Sequence, residues 1–145
     1  MKIETTEFDI ESDRRFEIRN VSPEVQASVE ELGAEDGLVY LNTPHTSAAL
    51  ATNEYEEKLC NDMVDKFKEI AAPDAGYYHD LDHIAAGEQP NAHAHLLSAL
   101  LDTPVLLRLH DRELSLGTWE EVMFYELCGP RERTIEVTAL TDKQF

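Results

Sequence analysis

The sequence predicts a single α+β domain, and three observations predict it. Strand-like alternation occupies both ends of the chain, helix-like spacing occupies the middle, and no βαβ unit repeats. The 145 residues suit one domain, 1–145, with a core of its own.

The elements follow in order. KIETTEFDI, residues 2–10, alternates apolar and polar residues and reads as a strand. Phe16 to Arg19 reads as a second, short one. Ser22-Pro23 starts a helix, with Ser22 as N-cap, Pro23 at the first helical position and Glu24 in the first turn. That helix runs to Leu32 and stops at Gly33. Gly37 to Thr43 is a strand, and the run after Pro44 is extended. A longer helix follows, capped by Thr52 or Asn53. Its apolar stripe is Tyr55, Leu59, Met63, Phe67 and Ile70, and Ala72-Pro73 ends it. Residues 73–90 show no periodicity, and a connection of that length inside a small domain points to function. A shorter helix opens at Asn91 or Ala92 and ends near Leu101. Strands then occupy Val105 to Leu109, Glu113 to Leu116, Trp119 to Leu127 and Thr134 to Leu140.

Charge narrows the partners. Thirty acidic residues face twelve basic ones, a net charge of −18 that repels nucleic acid and anionic membranes. Five of the twelve basic residues are lysines, and acids spread through every segment. That balance points to a halophilic cytoplasm. No run of apolar residues is long enough for a membrane helix, and the first eleven residues hold no signal-peptide core. Cys60 and Cys128 form no CxxC pair and read as free thiols.

Six histidines carry the chemistry. None belongs to HExxH or to a cysteine–histidine zinc spacing. His45 lies among small residues, His79 in the non-periodic stretch and His95 at the start of the short helix. Three imidazoles from three elements suit zinc or a similar ion with an open position. Asp80 and Asp82 stand ready to orient the His79 ring. His93 is two residues from His95, about 200° around a helix, so one helix cannot aim both at one site. His83 is spaced to share a helical face with His79, but Pro73, Gly76 and Gly87 argue against a long helix there. His83 and His93 therefore stand at the margin of the expected site, and His110 reads as a turn residue. Thr46, Ser47 and Asn53 offer neutral hydrogen bonds, while Arg131 and Arg133 suit a bidentate anion. Glu126 shares a strand face with Val122 and Phe124, where an acid needs a partner or a task.

Read together, His45-Thr46-Ser47-Ala48, Asn53-Glu54, Tyr78-His79-Asp80, Asn91 with Ala94-His95-Leu96, Leu116-Gly117-Thr118-Trp119 and Gly129-Pro130-Arg131-Glu132-Arg133 resemble the YjbQ-like family, labelled secondary thiamine-phosphate synthase. The resemblance spans Ile3 to Leu140. It implies a compact β-sandwich with helices between strands, a homotrimer with pockets near subunit contacts, and a metal site at His45, His79 and His95. It also implies condensation of a pyrimidine diphosphate with a thiazole phosphate, releasing pyrophosphate. In that setting Arg133 and Arg131 hold the anion, and Glu126 orients the arginine or shuttles a proton. The metal is expected to be zinc, or magnesium with a diphosphate substrate. A metal-dependent hydrolase of a small phosphate ester is the first alternative, and a non-catalytic binder of a small anionic metabolite the second. Two positions depart from the family pattern: Glu120 stands where Gln is usual, and Asp102 where Gly is usual.

Overall fold

The computed structural model describes residues 1–142. Eight strands and four helices follow the expected order: β1 (Lys2–Glu11), β2 (Glu17–Asn20), α1 (Ser22–Leu32), β3 (Gly37–Asn42), β4 (Ala48–Glu54), α2 (Glu57–Ile70), α3 (Leu81–Ala86), α4 (Ala92–Leu101), β5 (Val105–His110), β6 (Glu113–Leu114), β7 (Glu120–Glu126) and β8 (Glu132–Thr141). They form a five-stranded sheet in the order β1-β8-β3-β5-β6 and a three-stranded sheet in the order β2-β7-β4. Every pairing is antiparallel.

The sheets stack because their inner faces are apolar. Val39 and Leu41 of β3, Leu107 and Leu109 of β5, and Ile135 and Val137 of β8 meet Leu50 of β4 and Val122 and Phe124 of β7. Val25 and Val29 of α1 join this core. The other face of the small sheet, with Ala49, Met123 and Tyr125, is covered by Phe67 of α2 and by Ala94 and Leu97 of α4. Strand β7 is thus covered on both faces, and Val122 to Glu126 are all buried.

Several local expectations change. Ser22 does not cap α1: its hydroxyl accepts the Val122 N–H at 2.8 Å, tying the helix start to β7, while Asn20 Oδ1 accepts the Ser22 N–H. Gly33 ends α1 at φ 67, as a left-handed cap should. Helix α2 starts later than Thr52 or Asn53 would place it, because Glu56 accepts the Leu59 N–H and acts as the cap. Its buried side runs through Cys60, Met63, Val64, Phe67 and Ala71, whereas Tyr55 and Ile70 are exposed. The stripe is rotated so that Phe67 packs edge-on against Tyr125 of the central strand β7. Residues 73–90 are not structureless: a 3-10 turn at Tyr78–Asp80 runs into α3, which Gly87 closes at φ 71.

Candidate functional site

The site region is built where β3 leaves the large sheet. Ladder pairing to β8 stops at Asn42, two residues before Pro44. The backbone groups of Thr134 that β3 would have paired are taken over by side chains. Thr43 donates its hydroxyl to the Thr134 carbonyl at 2.9 Å, and the Thr134 N–H donates to His45 Nε2 at 3.0 Å.

Beside this exit lies a buried charge pair. Arg133 and Glu126 are each 1% exposed. Arg133 Nε donates to Glu126 Oε1 at 2.9 Å, and Nη2 donates to Glu126 Oε2 and to the carbonyl and hydroxyl of Ser47. The Ser12 hydroxyl donates to Glu126 Oε1 at 2.6 Å and accepts the Arg131 N–H at 2.8 Å, and the Cys128 N–H donates to Oε2. Glu126 is thereby saturated with donors and serves to hold Arg133. Burial of this kind is tolerated only when both charges are paired and hydrogen-bonded. Gly129 is required where this cluster meets the chain: an added Cβ would fall 2.3 Å from the Arg14 carbonyl and 2.6 Å from the Ser12 hydroxyl.

A second cluster holds three histidines. His79 lies in the 3-10 turn, His83 one turn later on α3 and His95 on the first turn of α4. The His79 ring is centred 5.2 Å from His83 and 5.0 Å from His95. His95 Nδ1 donates to the Thr46 carbonyl at 3.0 Å, and His83 Nδ1 donates to the His79 carbonyl at 3.2 Å. Both contacts hold the proton on Nδ1 and leave the Nε2 lone pair free, the arrangement metal-ligating imidazoles need. The ring nitrogens of the three do not all lie within 4.8 Å of one another. Among the described residues the group that meets that distance is Asp36, His110 and Asp111, all exposed, with Asp36 just before β3 and the other two at the β5–β6 turn. His110 Nδ1 meets Asp36 Oδ1 at 3.0 Å there, as a turn residue would.

Asp80 does not orient the His79 ring. It is 1% exposed, and its Oδ1 accepts the N–H groups of Asn91 and Ala92, capping α4 from outside. This bond fixes the 3-10 turn against α4, and so fixes His79 beside His95. Asp82 is exposed. His93 is fully buried, packs on Phe16 and donates Nε2–H to the Leu127 carbonyl at 2.8 Å, a core histidine facing away from His95.

The remaining predicted residues separate. Ser47 is buried against Arg133, Thr46 contributes its carbonyl to His95, and Arg131 is exposed. Asn53 lies at the far end of β4, opposite Glu121 and about 20 Å of strand from Ser47, with its Oδ1 turned to the Glu54 N–H. The structure brings Asn53 near none of the histidines. A groove of about 1220 Å³ between β2 and α2 holds none of the predicted site residues.

The YjbQ family, described as UPF0047 protein YjbQ-like, matches residues 6–142. The chain belongs to the YjbQ family. A UPF0047 protein of Archaeoglobus fulgidus is 37% identical over 135 residues, covering 92% of this chain and 99% of that one. YugU of Bacillus subtilis, also a UPF0047 protein, is 31% identical, with 88% and 92% covered. Among solved structures, a hypothetical protein of Aeropyrum pernix K1 matches at TM-score 0.88 and 34% identity, covering 96% of this chain and 99% of its own. A YbjQ-like protein of unknown function from Sulfolobus solfataricus P2 matches at TM-score 0.87 and 31% identity, with 97% and 99% covered.

The two positions at which the resemblance implies a departure each make a local hydrogen bond in this YjbQ-family chain. Asp102 Oδ1 accepts the Leu50 N–H at 3.0 Å, satisfying the open edge of β4, and Glu120 Oε1 accepts the Gly117 N–H at 3.0 Å. His83, placed at the margin of the expected site, stands beside His79. The signal was present: His79 and His83 are four apart, and Gly87 is a helix stop rather than evidence against a helix.

Proposed function

We propose that this chain is a metal-dependent enzyme acting on a small phosphate-bearing metabolite, with His79, His83 and His95 as the ligand set. The observation that carries the reading is the paired tautomer restraint: His83 and His95 each commit Nδ1–H to a backbone carbonyl and keep Nε2 free, on either side of His79. The exposed His79 side chain has no hydrogen bond among the described residues to fix its rotamer, so its ring is free to turn toward a shared ion. An all-imidazole set favours zinc over magnesium, which prefers oxygen ligands. Bound there, such an ion supplies Lewis-acid polarisation of a phosphoryl oxygen or an activated water.

The chain's own residues bind and orient. Arg133, held by Glu126 and Ser47, is a preset buried cation whose charge favours an anion at this end of the sandwich. Arg131 adds an exposed guanidinium at the same turn. Glu126 positions Arg133 instead of moving a proton, because all its bonds are taken. These groups suit hydrolysis of a small phosphate ester, and equally the departing pyrophosphate of the thiamine-phosphate synthase reaction implied by the resemblance. The test is elemental analysis of the protein purified without added metal, beside its His79→Ala variant. About one first-row ion per chain, lost in the variant, supports the reading; absence of metal from both removes it and leaves a binding protein for an anionic metabolite.

The trimer implied by the resemblance belongs to the same proposal. Leu38, Tyr40 and Leu106 stand exposed together on the outer face of the large sheet, and Tyr78, Leu81 and Ile84 around α3. Such apolar surface favours burial between copies. Light scattering is expected to give three times 16.4 kDa; the mass of one or two chains would exclude it.

A further inference from the structure

The resemblance puts His45 among the metal ligands, and its bonding argues for a different task. A neutral imidazole has one N–H and one lone pair. A metal takes the lone pair, and the N–H goes to an acceptor. His83 and His95 follow that pattern, and His45 reverses it. Its Nε2 faces the backbone N–H of Thr134 at 3.0 Å, a group that can only donate. The lone pair is therefore spent, and the proton sits on Nδ1. The bond is imposed by the fold, since β3 has left the sheet at that point and nothing else among the described residues takes the Thr134 N–H.

Two donors are left over. His45 Nδ1 makes no hydrogen bond among the described residues and is not sealed from solvent. Arg133 Nη1 also makes no hydrogen bond among the described residues, in a side chain that is almost wholly buried and whose Nε and Nη2 are fully committed. Thr134 joins the two in sequence, and Ser47, bonded to Arg133, lies two residues from His45. Burial and then the nearby Arg133 charge push the His45 imidazolium down from its ordinary range, which keeps the ring neutral.

We infer that His45 is a neutral hydrogen-bond donor whose Nδ1–H, beside the Arg133 charge, binds an oxyanion of the ligand, a phosphate or carboxylate group, and that it is not a metal ligand. The inference rests on the reading of this turn as the anion-binding side of the site, but not on the metal. Glu126 already neutralises Arg133, so a neutral donor beside it strengthens the grip on an anion without adding a second buried charge.

Two substitutions separate the ligand role from the structural one. His45→Gln keeps an acceptor for Thr134 and loses the donor at the δ position; His45→Asn keeps a δ donor and loses the reach to Thr134. Long-range proton–nitrogen NMR on metal-free wild-type protein is expected to show Nδ1 protonated and Nε2 bare, with Nδ1 shifting when inorganic phosphate is added. Calorimetry with phosphate should find binding weakened about ten- to a hundredfold in His45→Gln at unchanged melting temperature. His45→Asn should melt lower and keep part of the phosphate affinity. Metal content should match wild type in His45→Gln. A proton on Nε2, loss of metal in His45→Gln, phosphate affinity equal to wild type in that variant, or no phosphate binding by the wild type would each overturn the assignment. Because the binding is read on chelated protein, absence of metal from the wild type would sink the metal reading alone.

Discussion

At the scale of single residues, the two clusters show how a side chain's task depends on what its neighbours leave free. From the sequence, Arg133 reads as a holder of an anion and Glu126 as a group that orients the arginine or shuttles a proton. In the fold they neutralise each other under the end of the sandwich, and a single guanidinium nitrogen is left without a hydrogen bond among the described residues. Removing one partner strands the other charge, so Arg133→Met is expected to cost about 3–5 kcal/mol in urea titrations. The double variant Glu126→Leu with Arg133→Met should recover much of that loss, since no charge is left buried. A double variant as unstable as the single one would show that the pair contributes through packing instead. Composition gave notice of this pair: an acid on the apolar face of β7 and a scarce arginine two residues into the next strand had to meet something.

Among the elements, the 3-10 turn, α3 and α4 form the unit that assembles the histidines. Its keystone is Asp80, which caps α4 although it belongs to the preceding turn. A capping residue of this kind is worth about 0.5–2 kcal/mol. Asp80→Ala is expected to lower stability by that amount and to weaken metal binding, because His79 loses its fixed place beside His95. Asp80→Asn, which retains an acceptor, should keep most of both. If Asp80→Ala loses stability with metal affinity intact, the turn is held in place by other contacts. The sequence located α4 and the long connection, and it placed His79, His95 and His93 correctly with respect to the helix. It could not supply the Asp80 cap, since a side chain that reaches eleven residues forward leaves no periodic trace.

For the whole molecule, charge is the dominant quantity. A net −18 on 145 residues makes the folded state repel itself, and salt screens that repulsion. Melting temperature is therefore expected to rise from dilute to molar KCl, and a flat curve would remove the halophilic reading. Most exposed ion pairs, such as Lys66–Glu69 and Arg112–Glu35, add little to stability and would be screened in the same titration.

The sequence by itself determined the α+β order, the boundaries of most strands, the two free thiols and the family, because alternation, apolar spacing, glycine stops and ordered motifs are local signals. The tertiary structure decided which face of α2 is buried, which residue caps each helix, which histidines stand together, and which nitrogen of His45 carries the proton. Those depend on partners from 34 to 100 residues away, such as Leu127 for His93, Thr134 for His45 and Val122 for Ser22. Hydrogen-bond donors and lone pairs are claimed by whatever group the fold brings nearest, and a linear pattern does not encode that competition.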